Sequence, residues 1–278
     1  MKYVDLHIHT YFSDGTDSPL QVIRTAKMKG LDLIAIADHD NLRGYFRGIK
    51  EAQRWKINLV PAVEITTIEA HVLGLNFNPY NENFRKFVEY SKEVHDEVCS
   101  QRVEKLRSVG IPITFEKVRN AFPNSSLGKY SIIWTMLLDN ECRSYLEKKH
   151  EDLSLPFLSK YYLSKEGIGG KVEKKRAIYW GETVREIKKA GGIVIFPHPS
   201  TSARLPSEIP NMMKSVDGLE VQPKFANENQ PFADYAKLNN MHITYGSDYH
   251  SMYGGSGILG KGINQISDEL AELLTSKN

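Results

Sequence analysis

The stretch Leu31–Asp40, LDLIAIADHD, decides how the chain is read. It begins as an apolar run of the kind found in strands buried on both faces, and it ends in a histidine between two aspartates. Segments with helical spacing flank it on both sides. SPLQVIRTAKMKG (18–30) precedes it, opened by Ser18 before Pro19 and closed by Gly30, and LRGYFRGIKEAQRWK (42–56) follows. Further out lie more strands: YVDLHIH (3–9), INLVPAVEITT (57–67) and AHVLGLNF (70–77). Buried strands separated by helices predict a parallel sheet with helices outside it.

The rhythm changes from about residue 81 to 190, where the chain is helical and polar. Residues 83–110 form the longest periodic segment. A turn at AFPNSSLGK (121–129), a helix over SIIWTMLLDNECRSYLEKK (131–149) and a Gly- and Lys-rich loop at 164–176 follow. The first rhythm then resumes: helix 180–192, strand IVIFPHP (193–199), strand VDGLEVQP (216–223), helix 228–240 and strand HITYGSDYH (242–250). The pattern predicts an α/β barrel interrupted by a helical insert. Residues 1–80 and 190–278 are assigned to the barrel and 81–189 to a mainly helical cap.

Bulk properties agree with a soluble globular chain. Its 278 residues are 41% hydrophobic and 25% charged, enough for one large domain with an insert. No apolar run approaches bilayer length, and the N-terminus lacks a signal peptide's apolar stretch. Cys99 and Cys142, far apart and without CxxC spacing, fit a reducing cytoplasm, with a disulfide as the alternative. Net charge is +2, but it is unevenly spread: residues 101–190 hold 18 basic and 11 acidic residues, a net of +7, which leaves −5 for the rest.

His7 and His9 lie two apart on one strand and so share a face, where they form either a wet polar cluster or half of a metal site. The remaining histidines decide between these. His7/His9, His39, His71, His198 and His250 each sit within or just past an apolar run, accompanied by Asp14, Asp38, Asp40, Glu64 and Asp248. In parallel α/β folds the carboxyl ends of the strands converge on one site. Independent surface histidines would not recur there, so a metal site is expected. His95, His150 and His242 fail the same test and read as structural or exposed. Imidazole and carboxylate donors suit Mn, Fe or Zn, and six histidines with Asp14, Glu64 and Asp248 exceed what one ion uses. Two or three divalent ions are expected, as in sites built for displacement at phosphorus.

The segments DLHIHTYFSDG, LDLIAIADHD, VEI followed by AHVLGL, FPHP, DGLEV and GSDYH resemble, in order and spacing, the motifs of the PHP (polymerase and histidinol phosphatase) family. The resemblance implies a distorted (β/α)7 TIM-like barrel with a trinuclear centre that hydrolyses phosphate esters. The helical insert is similar to that of nucleotide phosphatases and short-RNA exonucleases. By the same resemblance His7, His9, Glu64 and Asp248 hold one ion, Glu64, His71 and His198 a second, and Asp14, His39 and His250 a third, with Mn2+ ahead of Fe2+ or Zn2+. Metal-bound hydroxide is expected to attack a phosphate monoester of a nucleotide or small phosphorylated metabolite. The alternative is 5′-3′ exonuclease action on short RNA or DNA. An amidohydrolase ranks third, because no lysine stands where its bridging residue would be.

Asp248 and His198 are the catalytic candidates, while Asp38 and Asp40 read as acceptors orienting imidazoles or as caps. In the insert the branch's Arg-Pro-His-like turn is replaced by LGKYSIIW, so Lys129, with Arg204 and Arg43, is a candidate for phosphate contacts as well as a plain surface charge. No membrane and no obligate protein partner are expected.

Overall fold

The computed structural model describes residues 2–173, 175–202, 207, 209–221, 226–251, 257–260 and 264–276. They fall into two units, Met1–Ser91 with Ile178–Asn278, and Lys92–Ala177. The first unit holds the sheet. In chain order it contains β1 (Lys2–Ile8), α1 (Pro19–Met28), β2 (Leu33–Ile36), α2 (Arg43–Trp55), β3 (Asn58–Thr66), β4 (His71–Leu75) and the start of α3 (Glu82–Ser108). The second unit takes the rest of α3, then α4 (Phe115–Ala121), α5 (Lys129–Leu138), α6 (Asn140–Glu147) and α7 (Leu155–Leu163). The chain returns to the first unit with α8 (Trp180–Lys189), β5 (Ile193–Phe196), α9 (Pro199–Ser202), α10 (Ile209–Ser215), β6 (Gly218–Glu220), α11 (Ala226–Leu238), β7 (His242–Thr244), β8 (Asn264–Ile266) and α12 (Asp268–Thr275).

The eight strands follow the order β7-β6-β5-β4-β3-β2-β1-β8. The sheet curls until β1 meets the segment after β7, where Leu6 N donates to Tyr245 O, Asp248 N to His7 O and His9 N to Tyr249 O. These bonds close a TIM-like barrel. Its interior is filled by Val4, Leu6, Leu33, Ala35, Val60, Ala62, Leu73, Leu75 and Ile195, with Leu270 and Leu274 of α12 in the same cluster. Ile34 and Ile36 face outward with Ile8 and pack under α1 and α2 against Val22, Ile23 and Ala52. Strand β2 is therefore buried on both faces, as its unbroken apolar run requires. Helix α1 begins with the capping box that Ser18 and Gln21 supply. Among the described residues, no helix is long and apolar enough to cross a membrane.

Two features depart from a regular, all-parallel sheet. Strand β4 runs antiparallel to both β3 and β5, and β8 antiparallel to β1. Only residues 67–70 separate β3 from β4, where Thr67 N and Oγ1 both donate to Ala70 O. A parallel crossover needs a dozen or more residues, so a link this short forces the strand to reverse. The second departure is in β1, where the register against β2 shifts between Asp5 and Ile8. Leu6 lies in the interior cluster and Ile8 in the outer one, although strict alternation would put both on one side.

The second unit has its own core of Val103, Leu106, Ile111, Ile133, Met136, Leu146, Leu158 and Leu163. Cys99 and Cys142 are buried here as free thiols. The single helix expected over 131–149 is two. At the break, Asp139 is extended (φ −81, ψ 124), and its side chain accepts from Cys142 N to cap α6.

Candidate metal centre

Every candidate ligand of the barrel sits at the rim where β1, β2 and β3 end. His7 and His9 come from the end of β1, both fully buried. The bulge that turns Ile8 outward is what leaves the two imidazoles facing inward. Asp14 lies in the loop that follows, folded back so tightly that a Cβ on Gly15 would stand 2.6 Å from His9 O. His39 follows β2 and bridges to Glu64 of β3. His71 opens β4 rather than ending it, and only the antiparallel direction of β4 puts it opposite Thr66 at this end. His198 follows β5, and Asp248 and His250 follow β7. Asp40, His198 and Asp248 have positive φ (50, 31 and 54), backbone conformations that L-residues adopt at a cost and that cluster at functional sites.

Glu64 is the hub. Its Oε2 lies 3.2 Å from His7 Nε2, His9 Nε2 and His39 Nδ1. Its Oε1 lies 3.1 Å from His71 Nδ1 and His198 Nε2. His7 Nε2 and His9 Nε2 are themselves 3.0 Å apart. Asp248 Oδ1 stands 3.5 Å from His9 Nε2, and Asp14 Oδ1 stands 3.3 Å from His250 Nε2. The nine side chains fall into four overlapping sets: His9, Asp14, His39 and His250; His7, His198 and Asp248; His7, His9 and Glu64; His39, Glu64 and His71.

This arrangement fits divalent ions. Donors about 2.0–2.2 Å from one ion lie roughly 3 Å from one another, which is the spacing seen around Glu64. One carboxylate cannot satisfy five imidazoles by hydrogen bonds, and lone pairs this close need a cation between them. Asp14 Oδ1 is buried with no hydrogen-bond partner among the described residues. The donors are nitrogen and oxygen only, suited to Mn, Fe or Zn.

Charge coupling in the cluster is strong. Burial alone would push His7 down, but the Glu220 and Glu64 carboxylates outweigh it and hold the imidazolium well above the ordinary histidine value. Burial likewise opposes charge on His9, yet Asp248, Glu64 and Asp14 raise it to about 10. His39 goes the other way, to about 4, because burial, His9 and His71 together outweigh Glu64 and Asp14. Burial disfavours ionised Glu64, but His7, His39 and His71 hold its carboxyl well below the usual range.

The aspartates beside His39 accept from hydroxyl and backbone N–H groups. Asp38 accepts from Thr10 N, Thr10 Oγ1 and Ser13 Oγ (2.7, 2.7 and 2.8 Å), pinning the loop that carries Asp14. Ser13 Oγ in turn stands 3.3 Å from His9 Nδ1. Asp40 accepts from Ser91 Oγ and Thr66 N. A further carboxylate facing an imidazole is Glu220, for which no role is expected from the sequence. Its Oε2 lies 2.8 Å from His7 Nδ1. The available signal was an acid inside the apolar run DGLEV, the same pattern that marks Glu64 in PAVEITT.

Two of the three substrate candidates open helices. Arg43 is the exposed first residue of α2 and lines a 470 Å³ cavity with Phe46, Arg85, Lys86, Glu82 and Glu89. Lys129 is the exposed first residue of α5 in the second unit. Arg204 lies outside the described residues.

Comparison with known proteins points the same way. The family model of the PHP domain matches residues 5–126. A 5′-3′ exoribonuclease of Haemophilus influenzae is 24% identical over 90% of each chain. A 3′,5′-nucleoside bisphosphate phosphatase of Chromobacterium violaceum is 23% identical over 90% of this chain and 88% of its own. Among solved structures, a candidate metal-dependent phosphoesterase from Bifidobacterium adolescentis superposes with a TM-score of 0.77 at 22% identity, over 98% of this chain and 94% of its own.

Proposed function

We propose, from the match of residues 5–126 to the PHP-domain family, that the chain is a metal-dependent phosphoesterase that hydrolyses a phosphate monoester of a nucleotide or small phosphorylated metabolite. One observation carries this reading: both oxygens of Glu64 stand 3.1–3.2 Å from imidazoles, with two acidic groups, Asp14 and Asp248, at the edges of the same cluster. Two or three divalent ions held there, Mn2+ first among them, would activate water as a nucleophile and offset charge on the phosphoryl oxygens. The nine side chains then serve to hold the ions and to keep the cluster dry, since His7, His9 and Glu64 are all buried. Asp248 and His198, as ion donors on the same rim, are the groups we place nearest the leaving oxygen. Arg43, Lys129 and Arg204 are proposed phosphate contacts. Two free thiols support a reducing, cytoplasmic setting.

A second reading, 5′-3′ exonuclease action on short RNA or DNA, is supported by the exoribonuclease relative and by the +7 carried in residues 101–190. Both readings use the same ions, so one assay separates them. Metal-loaded protein is offered phosphomonoesters, nucleoside bisphosphates and 5′-labelled oligonucleotides. Release of inorganic phosphate from the first two, with intact oligonucleotides, supports the phosphatase. Stepwise mononucleotide release supports the exonuclease, and no hydrolysis in any arm rejects both.

A further inference from the structure

Glu220 ends β6 with no exposed surface, and both of its carboxylate oxygens are engaged. His7 Nδ1 stands 2.8 Å from Oε2, and the backbone N–H of His198 donates to Oε1 at 3.3 Å. Burying a carboxylate is costly unless it is paired, so this one is placed with a purpose other than filling the core. Nothing larger than glycine fits beside it. A Cβ on Gly246 would stand 2.3 Å from His7 Cβ and 2.6 Å from Glu220 Oε2. The pair is thus wedged between β6 and the segment after β7.

We propose that Glu220 is a positioning residue for the metal centre, which fixes His7 as the Nδ1–H tautomer with its Nε2 lone pair aimed at the donor cluster, and which holds the left-handed His198 peptide through its N–H. This rests on the metal reading of the site. The geometry gives each half of the claim its reason. An imidazole donates from one nitrogen and ligates with the other, and the partner of the first decides which. With Nδ1–H committed to Glu220, His7 Nε2 is left facing His9 Nε2 at 3.0 Å and Glu64 Oε2 at 3.2 Å. His198 at φ 31 is strained, and such backbone persists only when its surroundings hold it there. One carboxylate therefore orients two of the three donors in the set His7, His198 and Asp248.

The test measures metal rather than turnover. Mn2+ affinity is determined by chelator competition, and ions per chain by elemental analysis, for the wild type, Glu220→Gln and Glu220→Ala. Loss of such a partner costs about 10- to 100-fold in affinity. The expected result is that loss for one ion in Glu220→Gln, at least as much in Glu220→Ala, and unchanged affinity for the ion held by Asp14, His39 and His250. Wild-type affinity for every ion in Glu220→Gln overturns the proposal, as does an equal loss at all sites. If neither variant folds, nitrogen-15 imidazole spectra of the Zn2+-loaded wild type decide: a protonated His7 Nδ1 is expected, and an unprotonated one overturns the assignment. A wild type that binds its ions but hydrolyses no phosphoester would fail the functional reading alone and leave this test intact.

Discussion

Glu64 touches five imidazoles through two oxygens, so a change there acts on every ion that shares it. Glu64→Gln keeps the shape and removes the charge. We expect it to lose metal and activity together, by at least the roughly 100-fold seen when mere supports of a ligand are removed. His95→Ala is the control, since His95 belongs to none of the four donor sets, and it should stay near wild-type turnover. Appreciable Glu64→Gln activity at saturating Mn2+ would refute the bridging role. Protons compete with the ions at the same atoms. His9 is raised to about 10 and His7 well above the ordinary histidine value, so at neutral pH the metal must displace their protons, and His198 and His250 are shifted in the same direction. Mn2+ binding should release protons and tighten between pH 6 and 8, read by titration calorimetry in buffers of different ionisation enthalpy. The linkage also has a sign in the metal-free protein. A raised folded-state value stabilises fully below the unfolded value near 6.5, and that stability is lost as pH rises through the folded value, about 10 for His9. Thermal unfolding without metal should therefore move to lower temperature from pH 6.5 towards 10, and a rise over that range would contradict the coupling.

At the scale of elements, strand type and position were legible wherever an apolar run was long, as in Leu31–Asp38, and helices wherever caps were written in the sequence, as at Ser18. Direction was not read correctly for β4, although the four residues between β3 and β4 carried the information. The break at Asp139 was missed because apolar spacing continues through it, while the cap is a matter of one side chain finding Cys142 N and Lys117 Nζ. Asp139→Ala removes that cap. We expect a loss of about 1 kcal/mol, measured as a lower urea midpoint with an unchanged slope. No shift would mean that α5 and α6 are held apart by packing alone.

On the scale of the whole molecule, charge is the property that bears on function. Residues 101–190 carry +7 while the remainder carries −5. We propose that this basic stretch recruits an anionic substrate. Lys129→Ala should then raise KM about severalfold with little change in kcat, because a contact made equally in ground and transition states weakens only binding. Ionic strength separates the two functional readings. A chain gripping several phosphates loses affinity steeply between 50 and 200 mM salt, whereas a mononucleotide phosphatase changes little. An unchanged KM in Lys129→Ala would remove that lysine from substrate binding.

The sequence by itself determined the barrel's fold class and marked the nine His, Asp and Glu side chains that the structure brings together, because apolar period and the recurrence of such residues at strand ends are local properties that survive in one dimension. The tertiary structure alone decided how those donors meet. The β1 bulge sets which way His7 and His9 face, and the reversal of β4 brings His71 to the same rim as Glu64. Glu220 reaches His7 across 213 residues of chain. The β4 reversal was written in its four-residue link, but the β1 register shift and the Glu220 contact arise only when distant segments pair, so no reading of neighbouring residues could have placed those two.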